Sequence, residues 1–544
     1  MKNIKYIWLA ILTLSFVACQ EDDLTDGGTV VVYPPLDSGS ADFSNFVALG
    51  ASYTAGMTDG AIFIAGQENS FPNIMAMEFA KVGGGPFVQP LVNDNFGGLA
   101  FAGNRIAPPR LVFGGAGPVP LESVIGPVTV TTDITVNNPT GPFNNLGLIG
   151  SPKSFHFIAP GYGNIANFPG GANPYAVRLT GNTPDATLVE LAVSQNPSFF
   201  ALPLFGGNDV LGYATNGGDS TSSITDTATF DFALNTVLDA LTSGGAKGVM
   251  TNIPDITVAP YFTTVPYNPL DPTNPDFGPQ IPTLNTLFGA LNGVYAFLES
   301  QGAINDAAQR MVVFSTTNAS PVVILDEALP NISTLITQTL LANPEFPLFL
   351  AQFGLPPQAA PQVAGLLGII YGQSRSATQE DLVVLPSATV IGTVNENFAA
   401  FLQSQGLSAA LAAQFATEGV TLPLEDKWLL TPLEQAEVSD AINAYNSSLS
   451  SQAQARDLAF VDFKSIVEEA SSTGIMFDDY LMNTSLVFGG MVSLDGVHLT
   501  ARGYAYLANA SLDAIDLTYG SNFRESGSLA KAGDYPTNYS PLLQ

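Results

Sequence analysis

A short apolar run, Phe46-Val47-Ala48-Leu49, ends in Gly50-Ala51-Ser52-Tyr53, and this junction constrains the fold more than any other stretch. It reads as a buried parallel strand that stops in a tight turn and presents a hydroxyl at the carboxyl edge of its sheet. Glycine permits close backbone approach there. A helix starting at the turn would aim its N-terminal dipole at negative charge developing beside the serine. Taken alone, the junction also fits an ordinary strand followed by a Gly-Ser turn.

Partners for the serine come from far along the chain. There are only two histidines, and one of them closes Asp495-Gly496-Val497-His498. An aspartate three residues before a histidine can bond one imidazole nitrogen and leave the other free to take a serine proton. Between serine and histidine, the apolar run Phe199–Phe205 ends in Gly206-Gly207-Asn208-Asp209. The Asn208 amide, and backbone amides at glycine turns, are candidate donors to an oxyanion.

Together these segments resemble the GDSL or SGNH serine hydrolases. Gly50-Ala51-Ser52-Tyr53 is similar to the family's first block, and Asn145-Leu146-Gly147-Leu148-Ile149-Gly150 to its second. Gly206-Gly207-Asn208-Asp209 is similar to its third block and Asp495 with His498 to its last, all four in the family's order. The resemblance implies Ser52 as nucleophile, His498 as base, Asp495 as the residue orienting that base, and an oxyanion hole from Ser52, Gly150 and Asn208. It also implies a three-layer, flavodoxin-like α/β fold with a mostly parallel sheet. Ala51 stands where the family usually has aspartate, and Leu499 where it usually has proline. Gly97, Gly98 and Gly103 also lie between the first and third blocks, so the second block's glycine has rivals.

Residues 1–18 read as a secretory signal, with Lys2 and Lys5 ahead of an apolar run too short to span a membrane. Phe16-Val17-Ala18-Cys19 resembles a bacterial lipobox. That resemblance implies lipidation of Cys19, the chain's only cysteine; Gln20 after it is compatible with sorting to the outer membrane of a Gram-negative bacterium, and the acidic residues that follow resemble surface-export signals. Without another thiol, no intramolecular disulfide can form. Residues 19–40, starting Gln20-Glu21-Asp22-Asp23, read as a disordered acidic tether.

The chain of 544 residues has 16 Lys and Arg against 47 Asp and Glu, a formal charge of −31. Nucleic acid is therefore an improbable partner, because phosphate contacts need clustered cations. Two distant histidines and one N-terminal cysteine do not make a zinc site, and Asp271, Asn274 and Asp276 lack the spacing of a calcium loop. No cofactor is implied. His156, in Ser154-Phe155-His156-Phe157, has no acid nearby in sequence to orient it and reads as packing or rim.

Apolar runs alternate with helical patterns. Thr183-Pro184-Asp185 predicts a helix start before Leu188 and Leu191. Phe230, Leu234, Val237, Leu238 and Leu241 recur at helical spacing, and Gly248–Asp255 reads as the next strand. Met311–Phe314, Val322–Leu325 and Leu382–Leu385 are further apolar runs. Thr431-Pro432-Leu433-Glu434 is a capping box, and Leu458–Asp462 reads as a last strand. The alternation predicts a parallel sheet with helices on both faces. One hydrolase domain over residues 41–525, with two large insertions at about 57–143 and 261–430 and a C-terminal tail over 526–544, accommodates all four blocks. Leu335–Gly372, apolar and broken by prolines, fits either packing inside an extra subdomain or an apolar lid over Ser52.

Three function classes follow. The first is a serine esterase or lipase acting on small-molecule or lipid esters, held at the membrane through Cys19. The second is a carbohydrate acetyl esterase on the same scaffold, and the third a surface-binding lipoprotein without catalysis. An Asp-x-x-His block serves the first two, not the third.

Overall fold

A computed structural model of the chain describes residues 33–544. The signal over 1–18, Cys19 and most of the expected tether lie outside the described residues.

Five short strands form one parallel sheet: β1 (Phe46–Gly50), β2 (Asn145–Gly147), β3 (Phe199–Leu202), β4 (Lys247–Thr251) and β5 (Ala459–Val461). Their order across the sheet is β2-β1-β3-β4-β5. Side chains alternate between faces with the period of two that a strand imposes. Phe46, Ala48, Phe199, Ala201, Val249, Ala459 and Val461 enter one apolar core, and Val47, Leu49, Phe200, Leu202 and Met250 enter the other. Because both faces are buried, the strands read as continuous apolar runs.

The first core is closed by α2 (Phe71–Ala80) and α10 (Ala501–Tyr519). The second is closed by α3 (Leu188–Val193), α5 (Thr227–Thr242) and α9 (Pro432–Ala455). Two further helices, α1 (Ser52–Ala55) and α4 (Gly207–Thr215), follow the carboxyl ends of β1 and β3. Local signals set the helix ends. Thr431 and Glu434 close the capping box that starts α9, as the sequence predicts. The helix expected from Pro184 starts instead at Leu188, because Thr187 and Glu190 form a second capping box there.

The insertions differ from expectation in extent. The span 57–143 contains α2, a core helix crossing over from β1 to β2. The remainder holds two small hairpins, Leu99–Phe101 with Asn104–Ala107 and Leu111–Phe113 with Pro118–Pro120. The span 261–430 builds its own core around α6 (Ile281–Ser300), α7 (Ser333–Ala342) and α8 (Ala360–Tyr371). Val323–Leu325 and Leu382–Val383 become strands of two-stranded antiparallel sheets outside the main one, and Met311–Phe314 forms no strand.

Both ends are more firmly attached than the sequence suggests. The tether expected over 19–40 has ended before Asp37, whose N–H donates to Asn522, and Ser40, whose N–H and hydroxyl donate to the Tyr519 carbonyl. The tail expected over 526–544 is part of the fold, with Ala530, Ala532, Tyr535 and Tyr539 in the first core. Its aromatic side chains were too few and too scattered to mark it as core. Among the described residues, no helix is long and apolar enough to cross a membrane.

Candidate active site

The β1 strand delivers Ser52 to the sheet's carboxyl edge, between β2 on one side and β3 on the other. In this strand order the connections leave β1 and β3 in opposite directions, which opens a crevice there. Gly50 and Gly147 let α1 sit close. A Cβ on Gly50 would lie 2.2 Å from the Thr54 hydroxyl, and one on Gly147 would lie 2.2 Å from the Ala55 nitrogen. The helix itself is a single turn of four residues ending at a left-handed Gly56. Its dipole is correspondingly small, so the sequence expectation of a helix aimed at the serine is met only weakly.

His498 reaches Ser52 from the loop before α10. Its Nε2 lies 2.9 Å from the Ser52 hydroxyl oxygen, and its Nδ1 lies 2.9 Å from Oδ2 of Asp495. Both Ser52 and His498 are buried. The loop is tied by its own aspartate: Oδ1 of Asp495 accepts the N–H groups of Val497 and His498 at 2.9 and 2.8 Å. Its Oδ2 also accepts the Gly60 N–H at 2.8 Å. Burial raises the Asp495 carboxyl, but the charge and hydrogen bond of His498 and the loop amides outweigh it. The net pKa lies well below the usual carboxylate range. An ionised Asp495 can only accept, so the Nδ1 contact calls for the proton on that nitrogen and leaves Nε2 as the acceptor facing Ser52.

The loop is braced from three sides. The Tyr53 hydroxyl donates to the Val497 carbonyl at 2.8 Å, while the Tyr504 hydroxyl, on α10, ties down the Met57 carbonyl at 2.6 Å and with it the segment that carries Asp59 and Gly60. The Tyr261 N–H donates to the Gly496 carbonyl at 3.0 Å, so the second insertion begins against this turn. Buried Asp59 completes the bracing: Oδ1 accepts the Leu494 N–H, and its own N–H donates to the Ser493 hydroxyl, both at 3.1 Å. The other Asp59 oxygen has no partner among the described residues. Burial pushes its carboxyl up to about 7, with Asp495 adding to the rise and Arg110 opposing it. Tyr53 stands inside the Gly50–Tyr53 block, so the sequence held a hint of it. Asp59, Gly60 and Tyr504 carry no motif of their own.

Asn208, buried at the start of α4, lines the same cleft as Ser52. Its Nδ2 donates to the Pro152 carbonyl at 3.1 Å, which orients the amide while leaving it a second hydrogen. The neighbouring Asp209 accepts the N–H and hydroxyl of Ser154, both at 2.8 Å, and so holds the 152–154 loop beside Asn208. Gly150 stands in that loop with φ +87° and does not line the Ser52 cleft. Its position is nonetheless bracketed. Leu148 donates to the Gly50 carbonyl at 3.0 Å on one side, and Pro152 accepts from Asn208 on the other. Neither the Ser52 N–H nor the Gly150 N–H meets a protein acceptor among the described residues.

The cleft at Ser52 encloses about 830 Å³, open solvent included. Its walls are mainly apolar, with Leu204, Leu211, Ile253, Ile256, Phe262 and Leu499 among them. Leu204 holds a left-handed φ of 44°, a strained conformation for leucine, and is tied by its N–H to the Thr251 hydroxyl at 2.8 Å. Leu499, at the position where the resembled family has proline, supplies apolar wall. The 335–372 segment contributes nothing to this cleft: Ile336, Leu340, Phe346, Leu350 and Leu367 are buried in the insertion's own core. Of the two sequence expectations for it, packing holds and the lid does not. The residues just past β4 take the wall instead, and their place at a strand's carboxyl end was the available signal.

His156 does not line the Ser52 cleft. Its Nδ1 accepts the Lys153 N–H at 2.9 Å and its ring stacks on Tyr162 at 4.4 Å. Among the described residues, no cluster of His, Cys, Asp and Glu side chains is arranged to hold a metal ion.

No protein-family model, curated protein or solved structure matches the chain.

Proposed function

We propose that this chain is a serine esterase of the GDSL or SGNH type, acting on esters with an apolar acyl group. The observation that carries the reading is the Ser52–His498–Asp495 relay, with both links at 2.9 Å, at the mouth of an apolar cleft. The sheet order β2-β1-β3-β4-β5 supports it, being that of flavodoxin-like sheets with the site at the β1/β3 switch point.

The chemistry follows from the geometry. Ser52 Oγ attacks the ester carbonyl as His498 Nε2 takes its proton, and Asp495 stabilises the imidazolium that forms. The Asn208 amide and the free N–H group of Ser52 serve the oxyanion, with the Gly150 N–H as the third donor that the family resemblance implies. His498 then returns the proton to the leaving alkoxide, which departs as the alcohol. Water, deprotonated by His498, then attacks the acyl-Ser52 ester, and His498 returns that proton to Ser52 Oγ as the acid is released. The full chain should hydrolyse aryl esters, with Ser52→Ala inactive. Normal turnover by that variant overturns the reading.

The same proposal includes anchoring through Cys19, since two or more acyl chains hold a protein stably at a membrane. Cys19→Ala should leave the membrane fraction; unchanged membrane association rejects the lipobox.

A further inference from the structure

Behind the Gly150 loop lies a second cleft of about 810 Å³, open solvent included, whose walls include Gly150, His156, Tyr162, Gly171 and Asn173. The rest of its wall is glycine, alanine and proline, with no charged side chain. Resting on the esterase reading above, we propose that this cleft is the leaving-group subsite and takes a neutral polyhydroxylated alcohol, a glycerol or sugar unit, through His156 and Tyr162.

The tautomer of His156 is set by its surroundings. Nδ1 accepts the Lys153 N–H at 2.9 Å, so the ring proton resides on Nε2. Burial, with Lys153 nearby, holds the imidazolium pKa down at about 4. At neutral pH the ring is therefore an uncharged, fixed N–H donor. Its ring lies parallel to Tyr162, 4.4 Å away at 9°, which locks both side chains. The Tyr162 hydroxyl accepts from Asn173 Nδ2 at 3.4 Å and, among the described residues, donates its own proton to no partner. Two preset donors beside apolar proline and alanine surface suit alcohol oxygens and C–H faces. The absence of a cation in the wall, on a chain of net charge −31, disfavours phosphate or carboxylate headgroups.

Connection to the reacting centre runs through the loop. Asn173 Nδ2 donates to the Ile149 carbonyl at 2.9 Å and the Gly150 carbonyl at 3.4 Å, tying the subsite wall to the residue bracketed beside Ser52. A carbonyl carbon held at Ser52 with its oxygen toward Gly150 and Asn208 has two substituents to place. The acyl chain takes the apolar cleft, and the alcohol takes the Gly150 side.

The test compares two octanoate esters on the purified full chain, a monooctanoylglycerol or octanoyl sugar and p-nitrophenyl octanoate. Tyr162→Phe, which keeps the stack, and His156→Phe should each raise KM for the polyol ester roughly three- to tenfold. On the aryl ester, whose leaving group offers no hydroxyl to these donors, the rise in KM should be smaller than on the polyol ester for both variants. His156→Gln, with an amide N–H near the position of Nε2, should recover part of the loss. Equal losses on both esters, or no loss on the polyol ester, overturn the subsite and leave the esterase reading intact. Full activity of Ser52→Ala on the aryl ester overturns that reading, and the leaving-group assignment with it.

Discussion

The Ser52 hydroxyl oxygen lies 2.9 Å from Nε2 of His498, although 446 positions separate the two residues. Groups that act as one unit lose their effect together. Ser52→Ala and His498→Ala should each lower kcat by on the order of 10⁴–10⁶, and the double variant should cost little more than either. Steady-state kinetics on one aryl ester decides this; additive losses would separate the two residues functionally.

Asn208 faces the cleft with its amide already oriented by Pro152. Asn208→Ala should lower kcat by roughly 10²–10³ with a smaller change in KM, as expected of one oxyanion donor. Unchanged kcat in the folded variant removes Asn208 from that role.

The walls of the Ser52 cleft predict a chain-length preference. Each methylene buried against Leu211, Ile256 and Phe262 should add at most about 0.8 kcal/mol, or up to about fourfold in kcat/KM, until the cleft is full. Ala259→Phe should shift the optimum to shorter acyl chains, since Ala259 lines the cleft. Leu348→Ser, on the exposed surface of the insertion, should leave the series unchanged. A series that responds to Leu348 and ignores Ala259 would return the acyl site to the insertion.

Asp59 gives a pH dependence of stability. Its folded pKa, about 7, lies above its ordinary value of 3.8, so the folded state holds the proton more tightly. Stability from this group is full below the ordinary value and is lost as pH rises toward and through 7. Between pH 5 and 8, Asp59→Asn should gain on the wild type by up to about 3 kcal/mol in urea unfolding. A constant difference across that range would contradict the burial of an ionisable Asp59.

Much of the sheet was legible because its strands are buried on both faces and bounded by glycine and proline. The Phe46–Gly50 and Phe199–Leu202 strands stood out as unbroken apolar runs. The relay was legible because the chain offers so few histidines and Asp495 sits at bonding distance in sequence from one of them. What stayed hidden depends on long-range packing. The bracing by Asp59 and Tyr504 crosses more than 400 residues and follows no local period. Leu335–Gly372 misled because apolar composition is the same for a lid and for a core; only the place of α7 and α8 against α6 tells them apart. Tyr535 and Tyr539 fall inside the expected 526–544 tail because isolated aromatics carry no pattern.

The claim that Ser52 is an activated nucleophile is met most directly by covalent labelling. A fluorophosphonate ester, incubated with the full chain at neutral pH, should add one phosphonyl group, and peptide mass mapping should locate it on Ser52. Ser52→Ala should remain unlabelled, and His498→Ala should label far more slowly. Labelling that persists in Ser52→Ala, or a wild-type chain that stays unmodified while correctly folded, would contradict the account.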